Sequence, residues 1–85
     1  MKYLYFSAPW CGPCKMFGPV MERVGETVPV EKYNVDENSE LAAQYSVRSI
    51  PTTVLVNESG EEVFRHIGAG NEHMLLETYK KHTNV

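Results

Sequence analysis

Ala8-Pro9-Trp10-Cys11-Gly12-Pro13-Cys14-Lys15 holds both cysteines of an 85-residue chain. Any covalent sulfur chemistry therefore runs between Cys11 and Cys14, or between them and a partner. Their spacing sets both on one face of a helical turn. There the two Cβ atoms can come within the roughly 3.8 Å that a disulfide needs.

Upstream, Lys2 to Ser7 is short, aromatic and aliphatic, and stopped by Ala8-Pro9. That pattern predicts a buried strand. Downstream, Met16, Phe17, Val20, Met21 and Val24 recur at helical spacing. They predict a helix from Gly12 to Val24 with Gly25 as its C-cap. Pro19 falls inside it and is expected to kink rather than break it. Val28 to Val35 is the expected second strand. Asn38 or Ser39 should cap a short helix through Tyr45. Thr53 to Val56 and Glu62 to Ile67 are two further strands, joined by a hairpin over Asn57-Glu58-Ser59-Gly60-Glu61. Asn71 should cap a last helix that turns Leu75, Leu76 and Tyr79 inward.

The element order is βαβαββα, an α/β arrangement. It predicts a four-stranded mixed sheet with helices on both faces. The length sets one domain over residues 1–85. An apolar content of 42% suffices for one modest core. No stretch reaches the roughly 20 apolar residues of a membrane span. The apolar run after Lys2 is shorter than the roughly 7–15 residues of a secretory leader, so a mature cytoplasmic protein is expected. A net charge of −3 argues against nucleic acid as a partner. The cluster Lys80-Lys81-His82 reads instead as a last helical turn set against the helix dipole.

In a reducing compartment a cysteine pair is more often catalytic or metal-binding than structural. A structural zinc site wants four ligands, and His66, His73 and His82 are not spaced as ligand pairs. His66 and His73 read as surface residues. Haem attachment needs a histidine after the second cysteine, where Lys15 stands. No metal and no cofactor is expected. What remains is thiol–disulfide exchange. Cys11 should sit at the helix N-cap, where unpaired backbone N–H groups favour its thiolate. Pro13 suits the first turn because its missing N–H is not needed there. Cys14 should lie deeper and be less acidic. Cys11 then attacks a substrate disulfide, and Cys14 resolves the mixed disulfide.

Trp10-Cys11-Gly12-Pro13-Cys14-Lys15 resembles the active-site motif of thioredoxins. Pro19 stands where that family kinks the same helix. Lys32-Tyr33-Asn34-Val35-Asp36 is similar to the family's Lys-x-Asn-x-Asp run. Tyr45-Ser46-Val47-Arg48-Ser49-Ile50-Pro51-Thr52 resembles its cis-proline segment, and Ile67-Gly68-Ala69 its Gly-Ala turn. The resemblance spans nearly the whole chain but lacks the leading strand and helix of full-length members, as in short viral and archaeal thioredoxins.

The resemblance implies a thioredoxin-like fold and a protein disulfide reductase, an oxidoreductase recharged by thioredoxin reductase. It implies a cis Pro51 facing the cysteines, with the Ile50 backbone free for an extended substrate. Trp10, Ile50, Pro51, Gly68 and Ala69 would bind substrate, with Gly12, Pro13, Pro51, Lys32 and Tyr5 supporting Cys11 and Cys14. Two positions depart from the family. Tyr5 stands where thioredoxins bury an aspartate beneath the second cysteine, and Ser7 replaces a tryptophan. A phenol can hydrogen-bond a thiolate but cannot take its proton at neutral pH. Lys32 thereby loses its usual carboxylate partner, and reads equally as an active-site lysine or as a solvent-facing strand lysine. Two rivals stay open. One is a glutaredoxin-like reductase using glutathione, for which Trp10 and Gly12-Pro13 are a poor fit. The other is a non-catalytic thioredoxin-fold binding subunit. A monomer that binds disulfide-containing proteins, without membrane or nucleic acid, is the expected state.

Overall fold

The computed structural model describes residues 1–83. The expected single domain also includes Asn84 and Val85, which lie outside the described residues. The elements are β1 (Lys2–Ser7), α1 (Gly12–Gly25), β2 (Val30–Asn34), α2 (Ser39–Gln44), β3 (Thr52–Val56), β4 (Glu62–Ile67) and α3 (Glu72–Thr83). They form a four-stranded sheet in the order β2-β1-β3-β4. Strand β1 is parallel to β2 and antiparallel to β3, and β4 is antiparallel to β3. This is the expected βαβαββα mixed sheet.

Side-chain alternation explains why helices cover both faces. Tyr3, Tyr5 and Leu55 pack against Phe17, Met21 and Val24 of α1 and Leu75 of α3. Leu4, Phe6, Val54 and Val56 point the other way, against Ala42 of α2. Strands β1 and β3 are thus buried on both faces and sit at the centre.

Helix α1 runs through Pro19 without a break. Burying Phe17, Met21 and Val24 contributes about 1.5–3 kcal/mol each. That outweighs the roughly 3 kcal/mol of an interior proline. Gly18 also helps, because the residue before a proline clashes through its Cβ and glycine has none.

Several boundaries differ from the sequence reading. Strand β2 begins at Val30, because Val28 turns out of the strand and its N–H bonds the Val24 carbonyl at 2.9 Å. Gly25 is the last helical residue and Glu26 the C-cap, with an ordinary right-handed φ of −73°. Glycine's conformational freedom is therefore not used there. Helix α2 ends at Gln44, and Asn38 caps it without a side-chain bond to the backbone. Strand β3 starts one residue earlier, at Thr52. At α3 the cap is as expected, the Asn71 side chain accepting from the Met74 N–H at 2.8 Å.

Two buried groups carry predictions. Thr53 Oγ1 is buried without a hydrogen-bond partner among the described residues. An unsatisfied buried hydroxyl is costly, so Thr53→Val should stabilise the fold by about 1 kcal/mol. The check is the urea midpoint at unchanged slope; a lower midpoint would show that the hydroxyl is satisfied.

Tyr3 is fully buried and its hydroxyl donates to the Leu75 carbonyl at 2.7 Å. Burial, aided by Tyr79, pushes its pKa up to about 12. A folded-state pKa above the unfolded value makes the unfolded chain release its proton first. The Tyr3 contribution is therefore complete below about pH 10 and lost between pH 10 and about 12. Stability should fall there by about 1.4 kcal/mol per pH unit on account of this group. Denaturant melts from about pH 10 to 12 test it, since Tyr3→Phe should flatten the slope by about one proton.

Candidate active site

The redox corner is where β1 ends and α1 begins. The first turn of α1 is Gly12-Pro13-Cys14-Lys15, with one cation and no acid. Cys11 is the N-cap, in extended backbone at φ −84° and ψ 114°. Its N–H bonds the Ala8 carbonyl at 3.1 Å, which fixes the loop leaving the strand. Its Sγ accepts from the Cys14 backbone N–H at 3.2 Å. The two cysteines form a disulfide, with Cα atoms 5.3 Å apart, inside the usual range of about 4.4–6.8 Å.

This geometry prepares Cys11 for the reduced state. A helix N-terminus carries about half a positive charge. One of its orphan N–H groups already points at Sγ, and the first turn carries Lys15 and no acid. Negative charge on Cys11 is therefore favoured. The expectation that Cys14 lies deeper does not hold. Cys11 is 4% exposed and Cys14 6%. Position on the helix, not burial, separates the two: Cys14 gives an N–H and Cys11 receives it.

Ile50 and Val35 pack against the cluster of Ala8, Cys11 and Cys14. The Ile50–Pro51 bond is cis and Pro51 is buried. Among the described residues neither Ile50 N–H nor its carbonyl has a backbone partner, as expected. Gly68 adopts φ +90° and donates its N–H to the Pro51 carbonyl at 2.8 Å. This fastens the Gly68-Ala69 turn to the proline. Trp10 is 68% exposed. Its indole N–H donates to Asp36 Oδ2 at 2.8 Å. The sequence shows Asp36 only as part of a motif, and nothing in the pattern marks it as the anchor of Trp10.

Below Cys14 lies a cleft of about 540 Å³, lined by Tyr5, Ser7, Cys14, Lys32, Asn34 and Glu37 among others. Tyr5 is 2% exposed and stands on Phe17 edge-to-face, ring centres 5.5 Å apart. Its hydroxyl donates to the Cys14 carbonyl oxygen at 3.4 Å. Burial raises its pKa above the ordinary value. Tyr5 is therefore a neutral strut under α1 at physiological pH. Lys32 is its register partner across the parallel pair. Lys32 is exposed, makes no salt bridge among the described residues, and still lines the cleft.

The thioredoxin family model matches residues 2–81. Thioredoxin of Bacillus subtilis is 46% identical over 81 residues, covering 91% of this chain and 77% of that protein. Thioredoxin 1 of Nostoc sp. is 41% identical over 81 residues, covering 91% and 75%. Among solved structures, a thioredoxin mutant from Halobacterium salinarum superposes with a TM-score of 0.87 at 40% identity, covering 94% of this chain and 72% of that one. Thioredoxin from Fasciola hepatica gives 0.83 at 42% identity, covering 95% and 79%.

Proposed function

This chain belongs to the thioredoxin family and is a thiol–disulfide oxidoreductase acting on protein disulfides; from that premise we propose how its residues divide the work. Cys11 is the attacking thiolate. The observation that carries this is the Cys14 N–H held against Cys11 Sγ at the N-cap of α1. In the forward step Cys11 Sγ bonds one substrate sulfur and the other substrate sulfur leaves as thiolate. Cys14 then loses its proton, attacks Cys11 Sγ, and releases the second substrate sulfur. The electrons come from the two cysteines, which end as the disulfide.

Gly12 and Pro13 keep the turn short and the pair aligned. Trp10, Ile50, Pro51, Gly68 and Ala69 form the surface on which an extended substrate lies, its backbone pairing with the free groups of Ile50. Lys32 and Tyr5 act on the Cys14 side of the cleft, Lys32 by charge and Tyr5 by holding α1. No cofactor is needed on the chain. Among the described residues no helix is long and apolar enough to cross a membrane. We place the protein in the cytoplasm, as one monomeric domain over residues 1–85 that binds neither nucleic acid nor membrane. A flavin-dependent thioredoxin reductase recharges it.

Trp10 is the only tryptophan and adjoins Cys11. A disulfide takes an electron from an excited indole, so reduction should brighten its emission. Oxidised protein mixed with NADPH and a thioredoxin reductase should show that rise within seconds, and glutathione at millimolar concentration should not. The reverse order of rates would make the glutathione-dependent reading correct. A Cys11→Ser, Cys14→Ser protein that still serves its cell would favour the binding-subunit reading.

A further inference from the structure

The segment from Tyr45 to Ile50 joins α2 to the cis proline and carries the residue that packs on the cysteines. Its start is held in an unusual way. Ser46 has φ +54°, the left-handed region, without being glycine. A residue with a Cβ is there at a cost. Local bonds set the turn: Ser46 N–H to the Ala43 carbonyl at 3.0 Å and Val47 N–H to the Ala42 carbonyl at 2.8 Å.

Those bonds leave the carbonyls of Tyr45 and Ser46 pointing outward, and one side chain takes both. Arg65 of β4 donates from Nη1 to the Ser46 carbonyl at 3.3 Å and from Nη2 to the Tyr45 carbonyl. Its other side meets Glu62 in a two-point pair, Nε to Oε2 at 2.9 Å and Nη2 to Oε1 at 2.8 Å. The Arg65 side chain is only 22% exposed. A guanidinium is a rigid fork with five donors and no acceptor, so a carboxylate on one edge and two carbonyls on the other fit it as a lysine would not. The far end of the segment is held separately, by the Thr52 hydroxyl donating to the Ser49 carbonyl at 2.6 Å. Ile50 lies just beyond.

We propose that Arg65, aligned by Glu62, is a positioning residue for substrate binding. It clasps the Tyr45–Ser46 turn in its left-handed form and so sets where Val47 and Ile50 meet the sheet and the cysteines. Both side chains pack on the face that α2 covers, and Ile50 also on the cysteine cluster. Arg65 itself touches neither sulfur nor substrate. This rests on the reading of Ile50 as a substrate-binding residue.

Two substrates separate the clasp from general stability. Insulin is a polypeptide disulfide that must lie along Ile50. The small aromatic disulfide dithiobis-nitrobenzoate reaches Cys11 without it. Arg65→Met should raise KM for insulin by about fivefold at nearly constant kcat, the sign of lost binding rather than lost chemistry. Its rate with the small disulfide should stay within about twofold of the parent. Ser46→Gly removes the cost of the left-handed turn, so the double variant Arg65→Met, Ser46→Gly should recover most of the insulin KM. Should Arg65→Met fail to fold, Glu62→Gln loosens the same fork and should shift the insulin KM in the same direction.

An unchanged insulin KM in Arg65→Met, equal losses with both substrates, or no recovery by Ser46→Gly overturns the clasp. Ile50→Ala keeps the failures apart. If it raises the insulin KM while Arg65→Met does not, the clasp alone is wrong. If Ile50→Ala leaves that KM untouched, the substrate-binding reading of Ile50 falls and the clasp falls with it.

Discussion

Serine in place of Cys14 should leave substrate covalently locked on Cys11, and steady turnover should drop by about a thousandfold or more. The first exchange needs only the Cys11 thiolate, which keeps its helix terminus and the backbone N–H of residue 14 in the variant. The second needs a thiol at position 14, and a serine hydroxyl does not attack a disulfide at neutral pH. The mixed disulfide then persists until an outside thiol cleaves it. Cys11→Ser should lose turnover equally but trap nothing. Non-reducing electrophoresis shows the adduct and peptide mapping locates it. An adduct on Cys14 in the Cys11→Ser protein, with none on Cys11 in the Cys14→Ser protein, would reverse the two roles.

Tyr5→Asp should speed release of substrate from a preformed Cys11 mixed disulfide by about tenfold near pH 7, because a positioned base contributes about a hundredfold or more when well placed. In the parent β1 offers the Cys14 proton no carboxylate. The Tyr5 phenol is neutral, its pKa raised by burial, and its hydroxyl is aimed at the Cys14 carbonyl. The proton leaves through the cleft, whose lining includes Lys32 and Glu37, and the parent rate should climb with pH as the thiol ionises. A carboxylate under α1 should flatten that climb.

The same change costs stability, about 3 kcal/mol, since it removes a ring packed on Phe17 and buries a carboxyl. Burial raises the folded-state pKa of the introduced carboxyl above its unfolded value. Above the unfolded value the unfolded chain ionises first, so stability falls as pH rises and is best in mild acid. Release followed against pH, beside urea melts at the same pH values, reads both effects. Coincident release profiles in the two proteins would remove position 5 from proton transfer.

Much of the architecture was open to reading because its signals are local. The short aromatic and aliphatic run of β1 and the stripe of Phe17, Met21 and Val24 need no distant partner to be seen. The N-cap role of Cys11 followed from a strand meeting a helix across Ala8-Pro9. Where the reading slipped, a long-range bond or a packing contact decided. Val28 has strand character, but its N–H goes back to the Val24 carbonyl and β2 starts later. Helical position alone puts Cys14 deeper, whereas Ile50 and Val35 from distant loops pack on the cluster that holds both cysteines, and both are buried. Asp36 beneath Trp10 and Arg65 across Ser46 join residues 26 and 19 positions apart. No periodicity records such a pair. Ser46 carried a weak mark at most, a serine at the end of a short helix with no glycine to take the left-handed turn.

The strand order β2-β1-β3-β4 has a consequence for synthesis. Strand β1 leaves the ribosome before either of its neighbours, yet it is central and buried on both faces. Its parallel partner must wait for Val30–Asn34 and its antiparallel partner for Thr52–Val56. Non-local pairing of this kind is slow to reward the chain. Until β3 has emerged, Cys11 and Cys14 ride on a nascent segment whose sheet lacks its antiparallel half, with no Ile50 over them. The growing polypeptide thus carries two accessible thiols before it owns the surface that selects what they react with. A quench with a maleimide during translation, once Cys14 but not Thr52 has left the ribosome, would catch both.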